Sequence, residues 1–440
     1  IQLSDHFTYK RLLRFTIPSI IMMICTSIYS IIDGLFVSNF VGKMPFAALN
    51  LMYPMLMALS TIGFMLGTGG SAIVAITLGE GRKKEANQYF SMLIYIAIGV
   101  GVVISVAALI FMEPLAKVLG ATSELMDDCV TYGRILGIAL PAFMLQIIFQ
   151  SFFVTAEKPE LSLKISVTAG LTNVILDFLF IVVFHWGLAG AAFATAIGQI
   201  IGGFSPVLYF ARENDSLLRL TKTGFYGKVL LKAFTNGSSE LLTNISASLV
   251  NILYNFQLMK LAGENGVAAY GVIMYANFVF AAIFIGYSLG SAPVVSYHYG
   301  AGNQKELNNL FKKSLIVIGI TGIIMTLLSE LLAYPLTKIF VGYDRELFAM
   351  TCRGFRLYAL SFLISGFNAW GSGFFTALGD GAVSAAISFM RSLIFQSSVV
   401  FVLPILLGLD GIWLAIVVAE ILALTVTGLF FAAKRKKYHY

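Results

Sequence analysis

The sequence is short of charge. Only 12% of its 440 residues are Asp, Glu, Lys or Arg, about half the roughly 25% of a water-soluble domain. So few charges cannot cover the surface of soluble domains of this size, which excludes a soluble enzyme, a disordered chain and a nucleic-acid-binding module. Cysteine is scarce as well. Cys25, Cys129 and Cys352 make an odd count without zinc-type spacing, which argues against a disulfide framework or a thiolate metal site. The four histidines, His6, His185, His298 and His439, lie near span ends or in loops, and no two have metal-ligand spacing. No Walker sequence or nucleophile elbow is present, which argues against ATP-driven transport, and no enzymatic reaction or cofactor is expected. The opening residues carry no signal-peptide pattern, so no cleavable leader is expected.

Apolar residues fill the gap. They make up 58% of the chain, and the mean hydropathy is +0.87. A membrane helix needs about 20 largely apolar residues, and twelve stretches qualify: roughly 15–40, 49–77, 89–112, 131–155, 163–184, 189–211, 234–259, 267–297, 314–337, 351–377, 384–407 and 411–433. They are rich in Gly, Ala, Ser and Thr, which let helices approach closely. The runs are too long and too uniform for a β-barrel. The expected fold is an all-α integral membrane protein of twelve transmembrane helices.

The net charge of +7 comes from loop lysines and arginines. Twenty of the 29 basic residues fall on one side of the twelve spans, eight on the other, and Arg391 lies inside a span. The richer side is cytoplasmic by the positive-inside rule. It holds both termini and the polar stretch 212–233, so a multi-pass protein of the inner (cytoplasmic) membrane with both ends in the cytoplasm is expected.

The sequence repeats at a spacing of about 221. Leu78-Gly79-Glu80-Gly81 resembles Tyr299-Gly300-Ala301-Gly302, Phe153, Thr155 and Ala156 match Phe374, Thr376 and Ala377, and Gly187, Leu188 and Gly190 match Gly408, Leu409 and Gly411. Six spans per half is an even number, so the halves share one orientation. This is the parallel repeat of secondary transporters, which hold substrate between the halves. The expected organisation is an N-lobe at 1–211, a cytoplasmic linker at 212–233 and a C-lobe at 234–440.

Carboxylates inside a span are costly and mark pathways or relays. Asp33, Asp177, Glu240 and Glu420 qualify. Asp33 is seven residues from the outer end of span 1, Asp177 seven from that of span 5, and Thr195 six from that of span 6. At 1.5 Å per residue all three lie about 10 Å below the outer surface. Asn173, four residues before Asp177, shares its helix face. This set of hard oxygens suits Na⁺. It equally suits a proton, because two carboxylates in a dry pocket do not both stay charged. Packing of each carboxylate against hydroxyls is the plain alternative. Arg391 and Glu240 lie at similar depth and could pair, or Glu240 could contact a cationic substrate; Glu420 has no assignment. Pro18, in the first turns of span 1, frees a carbonyl and allows a hinge or a static kink.

These residues resemble those of the MATE (multidrug and toxic compound extrusion) transporters, prokaryotic type, over essentially the whole chain. The resemblance rests on Ile17-Pro18, on Asp33 within Ile31-Ile32-Asp33-Gly34-Leu35-Phe36-Val37, on Gly79-Glu80-Gly81, on Asn173 and Asp177 in span 5, and on Thr195 in span 6. It implies two pseudo-symmetric six-helix lobes alternating between outward- and inward-facing forms. It also implies antiport, with Na⁺ or H⁺ entering as an organic cation leaves. Residues matching Asp33, Asn173, Asp177 and Thr195 form the family's N-lobe cation or proton site, the one matching Pro18 lies where the first helix bends, and the one matching Glu240 is implicated in coupling or substrate binding in some branches. The expected partners are small organic cations and membrane lipids, without nucleic acid, and the expected state is a monomer. A lipid-linked oligosaccharide flippase of the same superfamily is the alternative, and it would need a basic cluster for pyrophosphate where only Arg391 is available. A channel or scaffold is disfavoured by the buried carboxylates.

Overall fold

The computed structural model describes residues 1–440 and is helical throughout, with no strand. Nine helices are long and apolar enough to cross a membrane, and two bent pairs, Met126–Ile138 with Leu140–Thr155 and Arg345–Ala359 with Phe362–Ala377, raise the count to eleven. One of the nine, the 63-residue helix Ser238–Gly300, holds two crossings in one element, which brings the count to twelve. Gly263 breaks it at φ 66°, ψ −148°. Tyr254 and Tyr270 then stack with ring centroids 5.0 Å apart, although sixteen residues of straight helix would separate them by about 24 Å. The chain doubles back at Gly263, and the twelve expected spans are all present.

The helices outrun the apolar stretches. Span 3 runs Lys83–Val118 and span 9 Gln304–Val341, because hydrogen bonding carries a helix past the hydrocarbon boundary into its polar flanks. Span 2 differs more. It is divided at Ser60 into Lys43–Leu59 and Thr61–Met65, and a π-helical turn at Leu66–Gly70 leads into Ser71–Gly79. The helix Gly227–Asn236 crosses the expected end of the linker at 233.

The repeat is visible in the backbone. Gly42, Gly81 and Gly187 have positive φ, and so do Gly263, Gly302 and Gly408, each 221 residues later. The bend at Ala139 recurs at Leu360. At Gly263 the backbone lies in a region essentially closed to other residues, at a cost of about 1–3 kcal/mol. Gly263→Ala should therefore lower the melting temperature, even though a Cβ there meets nothing within 4 Å. Gly271→Ala, equally open but helical, should not.

The apolar core is in four parts. One cluster, including Val37, Met52, Met112 and Ile181, belongs to the outer part of the first half alone. A second, including Tyr254, Val341 and Trp413, belongs to the outer part of the second half alone. Across the face carrying the termini the halves interlock: Leu12, Phe15 and Val154 share a cluster with Phe284, Val294 and Phe374. Here backbones touch. A Cβ on Gly79 would lie 2.0 Å from the Tyr297 carbonyl oxygen, one on Gly300 2.1 Å from that of Ile76, and one on Gly286 2.5 Å from the Ile20 Cα. Glycine is the residue that permits such approach. The N-terminal segment fastens the same face. The Leu3 amide donates to Glu157 at 2.8 Å, and the Phe7 amide donates to Glu306 at 2.9 Å. The halves thus meet at the terminus-bearing ends and share no core at the other.

Candidate functional site

Span 1 (Tyr9–Val41), span 5 (Pro159–Val183) and span 6 (Gly187–Ala211) bring the predicted oxygens together. The Thr195 hydroxyl donates to Asp33 at 3.4 Å. The Asp33 and Asp177 carboxyl groups face each other, close enough for each to feel the other. Asp177 is completely buried, and neither of its oxygens has a protein donor. Asn173 Oδ1 is buried without a partner too. It sits at the contact between spans 5 and 6, where a Cβ on Gly198 would meet the Asn173 Cβ at 3.3 Å.

Two tyrosines lie near this set, and Gln199 shares the Thr195 face. Gln199 Oε1 and the Tyr132 hydroxyl are buried and unpartnered, and Tyr132 feels the charge of both aspartates. Tyr53 lies near Asp33 and Ser30. Gln199 was accessible from sequence, since it follows Thr195 by four residues and shares its face. Nothing distinguishes Tyr53 and Tyr132 from the other tyrosines, nineteen in all.

Unpartnered buried oxygens are rare because each costs about 1–3 kcal/mol. Here there are several, and two of them are the oxygens of Asp177, which faces the Asp33 carboxyl group. The donor set is entirely oxygen, which fits a hard cation, and the facing carboxyl pair fits a shared proton. The backbone beside both aspartates is irregular. A π-helical turn, Val37–Val41, begins four residues after Asp33, and another, Phe178–Val183, begins directly after Asp177. Such turns accompany functional sites and offer an alternative hydrogen-bond register.

Pro18 lies within a continuous helix, Tyr9–Phe36. Its neighbours press on span 8: a Cβ on Gly290 would meet Thr16, and one on Gly286 would meet Ser19 and Ile20. The proline therefore sits at the contact between the halves, remote from Asp33.

The suggested Glu240–Arg391 pair is not formed. Arg391 Nε donates to both oxygens of Glu420, at 2.9 and 3.1 Å. The Arg391 side chain is 27% exposed and that of Glu420 3%. Asn368 Nδ2 donates to Glu420 at 2.7 Å, and the Thr427 hydroxyl donates to Asn368 at 2.9 Å. The short turn at Gly408 sets span 11 (Gly381–Leu407) beside span 12 (Leu409–Tyr438), which makes Glu420 the nearer acid. Glu240 has no ion pair. It lies midway between Asn236, which donates to the Gly69 carbonyl at 3.2 Å, and Asn244, which donates to Thr61 at 3.5 Å. Residues four apart share a helix face, so Glu240 faces the seam with span 2. The first half thus carries two facing acids, and the second a neutralised acid.

The MatE family model matches twice, at residues 18–179 and 241–402, once in each half. Among curated proteins, the multidrug export protein MepA of Staphylococcus haemolyticus (strain JCSC1435) is 23% identical over 413 residues, 94% of this chain and 90% of that one. MepA of Staphylococcus aureus (strain MRSA252) is 22% identical over 415 residues, 94% of this chain and 91% of its own length. Among solved structures, a MATE protein in complex with MaL6 superposes with a TM-score of 0.93 at 21% identity, covering 98% of both chains.

Proposed function

The chain belongs to the MatE family, and we propose that it is a secondary multidrug exporter that moves organic cations out of the cell in exchange for Na⁺ or H⁺. The observation that carries this reading is the Asp33–Asp177 carboxyl pair in the first half, with Asp177 completely buried, Asp33 half-buried and unpartnered oxygens near them. It is not an enzyme. The working units are an N-lobe at 1–211 and a C-lobe at 234–440 joined by the 212–233 linker, and one chain holds the whole pathway as a monomer. The terminus-bearing face is the cytoplasmic one, so the described form faces outward, with its lobes closed on the cytoplasmic side.

Exchange follows from competition. An organic cation enters the space between the lobes from the cytoplasm or inner leaflet, with the seam carboxylate Glu240 available to it. After the outward turn, Na⁺ or H⁺ loads between Asp33 and Asp177, with Asn173 and Thr195 supplying further oxygens to Na⁺. Loading removes negative charge from the N-lobe and lowers affinity for the organic cation. The π-turns beyond the two aspartates let span 1 and span 5 shift register, and Pro18 bears the resulting bend against span 8.

Coupling between two ligands is reciprocal. Ethidium binding to the purified protein should weaken as the coupling ion rises, and the ion should be released by ethidium to the same degree. Titrations across Na⁺ concentration and across pH test this. An ethidium affinity indifferent to both ions would refute antiport through this site. The flippase reading gains nothing, because Arg391, the basic group it would use, is neutralised by Glu420.

A further inference from the structure

The linker between the halves is built against span 3. Asn87 Oδ1 accepts the Arg219 amide at 2.6 Å, Ser91 Oγ accepts the Thr221 amide at 2.8 Å, and the Tyr95 hydroxyl donates to the Thr221 carbonyl at 3.2 Å. Residues 87, 91 and 95 are four apart and form one face of span 3. Leu218, directly before the first anchored amide, is completely buried. The segment is held in place along the terminal turns of a membrane helix.

This docking gathers cations. Lys83 and Lys84 from the start of span 3, and Arg219 and Lys222 from the linker, line one open groove of about 580 Å³ together with the amides of Asn87 and Gln88. No acid lines it. The nearby carboxylates of Glu80 and Glu85 are taken by Arg82. Arg219 has only a loose 3.8 Å contact with Glu213, and the three lysines have no ion pair. On the far side of Lys158, by contrast, the ammonium is paired with Asp215 at 2.9 Å and holds that carboxyl below the usual carboxylate range. The three groove lysines have no acid partner, whereas Arg82 and Lys158 do.

The surroundings indicate where the groove lies. Directly after it, Phe225 is 74% exposed, and Leu231, between Lys228 and Lys232 on the helix Gly227–Asn236, is 65% exposed. Bare apolar side chains among lysines are the pattern of a helix lying at the boundary of headgroups and acyl chains. Basic pockets at that level on the cytoplasmic side of membrane helices take anionic headgroups.

We propose that the groove formed by Lys83, Lys84, Arg219 and Lys222 is a binding site for the headgroup of an anionic membrane phospholipid. The phosphate sits among the four cations, Gln88 donates to its oxygens, and the acyl chains lie beside Phe225 and Leu231. Because Asn236 at the end of the same segment donates to carbonyls of both halves, Gly69 and Thr376, an occupied groove fastens the linker where the lobes meet. This site is independent of the Asp33–Asp177 pair.

The test uses the full chain purified in a neutral detergent. Melting temperature and lipid retention by native mass spectrometry are measured with phosphatidylglycerol, with phosphatidylcholine, and with inorganic phosphate at equal concentration. The expected result is stabilisation and at least tenfold preferential retention for phosphatidylglycerol. Both should be lost in Lys83→Gln/Lys84→Gln/Arg219→Gln/Lys222→Gln and kept in Lys434→Gln/Arg435→Gln/Lys436→Gln/Lys437→Gln, which removes equal charge from the C-terminal end. The single variant Lys222→Glu should show a partial loss, and it serves if the quadruple variant does not fold. Equal loss in both quadruple variants, or undiminished retention in the groove variants, would overturn the site. Equal stabilisation by inorganic phosphate would overturn the assignment to a lipid.

Discussion

Replacing Asp177 by Asn should abolish gradient-driven export while leaving a folded protein that melts no lower than the parent. The side chain is completely buried, with both oxygens unpartnered, and it faces a second carboxyl group. As a structural element this is a poor arrangement, since every unsatisfied buried group weakens the fold. Asn keeps the shape and removes the charge that Na⁺ or a proton must neutralise. Function and stability should therefore separate: transport falls to the level of protein-free vesicles, and the melting curve stays or shifts upward. Such separation is usual where a site is built for activity at the expense of stability. If Asp177 were simply a packing residue, the outcome would be the reverse, with lower stability and undiminished transport. Measuring both quantities on one preparation decides between the two.

Arg391→Met should be the most destabilising of the substitutions considered. It strips the guanidinium from a Glu420 side chain that is only 3% exposed. Removing one partner of a buried pair costs about 3–5 kcal/mol, because the remaining charge is left uncompensated. Asn368 still donates to Glu420, which does not replace a charge. Adding Glu420→Gln removes the orphan, so the double variant should recover most of the loss. Chemical or thermal unfolding of the single and double variants checks this. Equal instability in both would mean that the pair acts through packing alone.

The contrast between the two polar centres explains what could be read from sequence. Depth along a helix is fixed by residue count, so Asp33, Asp177 and Thr195 could be placed at one level, and span 5 and span 6 are consecutive. Among the positions that repeat at 221, some glycines are backbone necessities: Gly187 and Gly408 both need positive φ, which retains glycine where side chains drift. Gly42 and Gly263 obey the same rule but stand in dissimilar flanks, so the match emerged only from the backbone. Arg391 and Glu240 share a depth without touching, because the turn at Gly408 makes Glu420 the neighbour of Arg391. Tyr53 and Tyr132 come from spans 2 and 4, whose packing against span 1 leaves no trace in residue order. The helix Gly227–Asn236 was legible in principle from Lys228 and Lys232 set against Val229, Leu230 and Ala233, but its polar flanks concealed it.

The central claim is that the acidic pair of the first half couples an ion gradient to export. Its most direct test is transport by the purified protein in proteoliposomes loaded with ethidium, with a Na⁺ gradient and a pH gradient imposed separately and the membrane potential clamped. The account predicts that one of the two gradients drives ethidium uphill, and that Asp33→Asn loses this movement while keeping the protein's fold. Uphill movement that persists undiminished in Asp33→Asn, or no movement under either gradient, would contradict it.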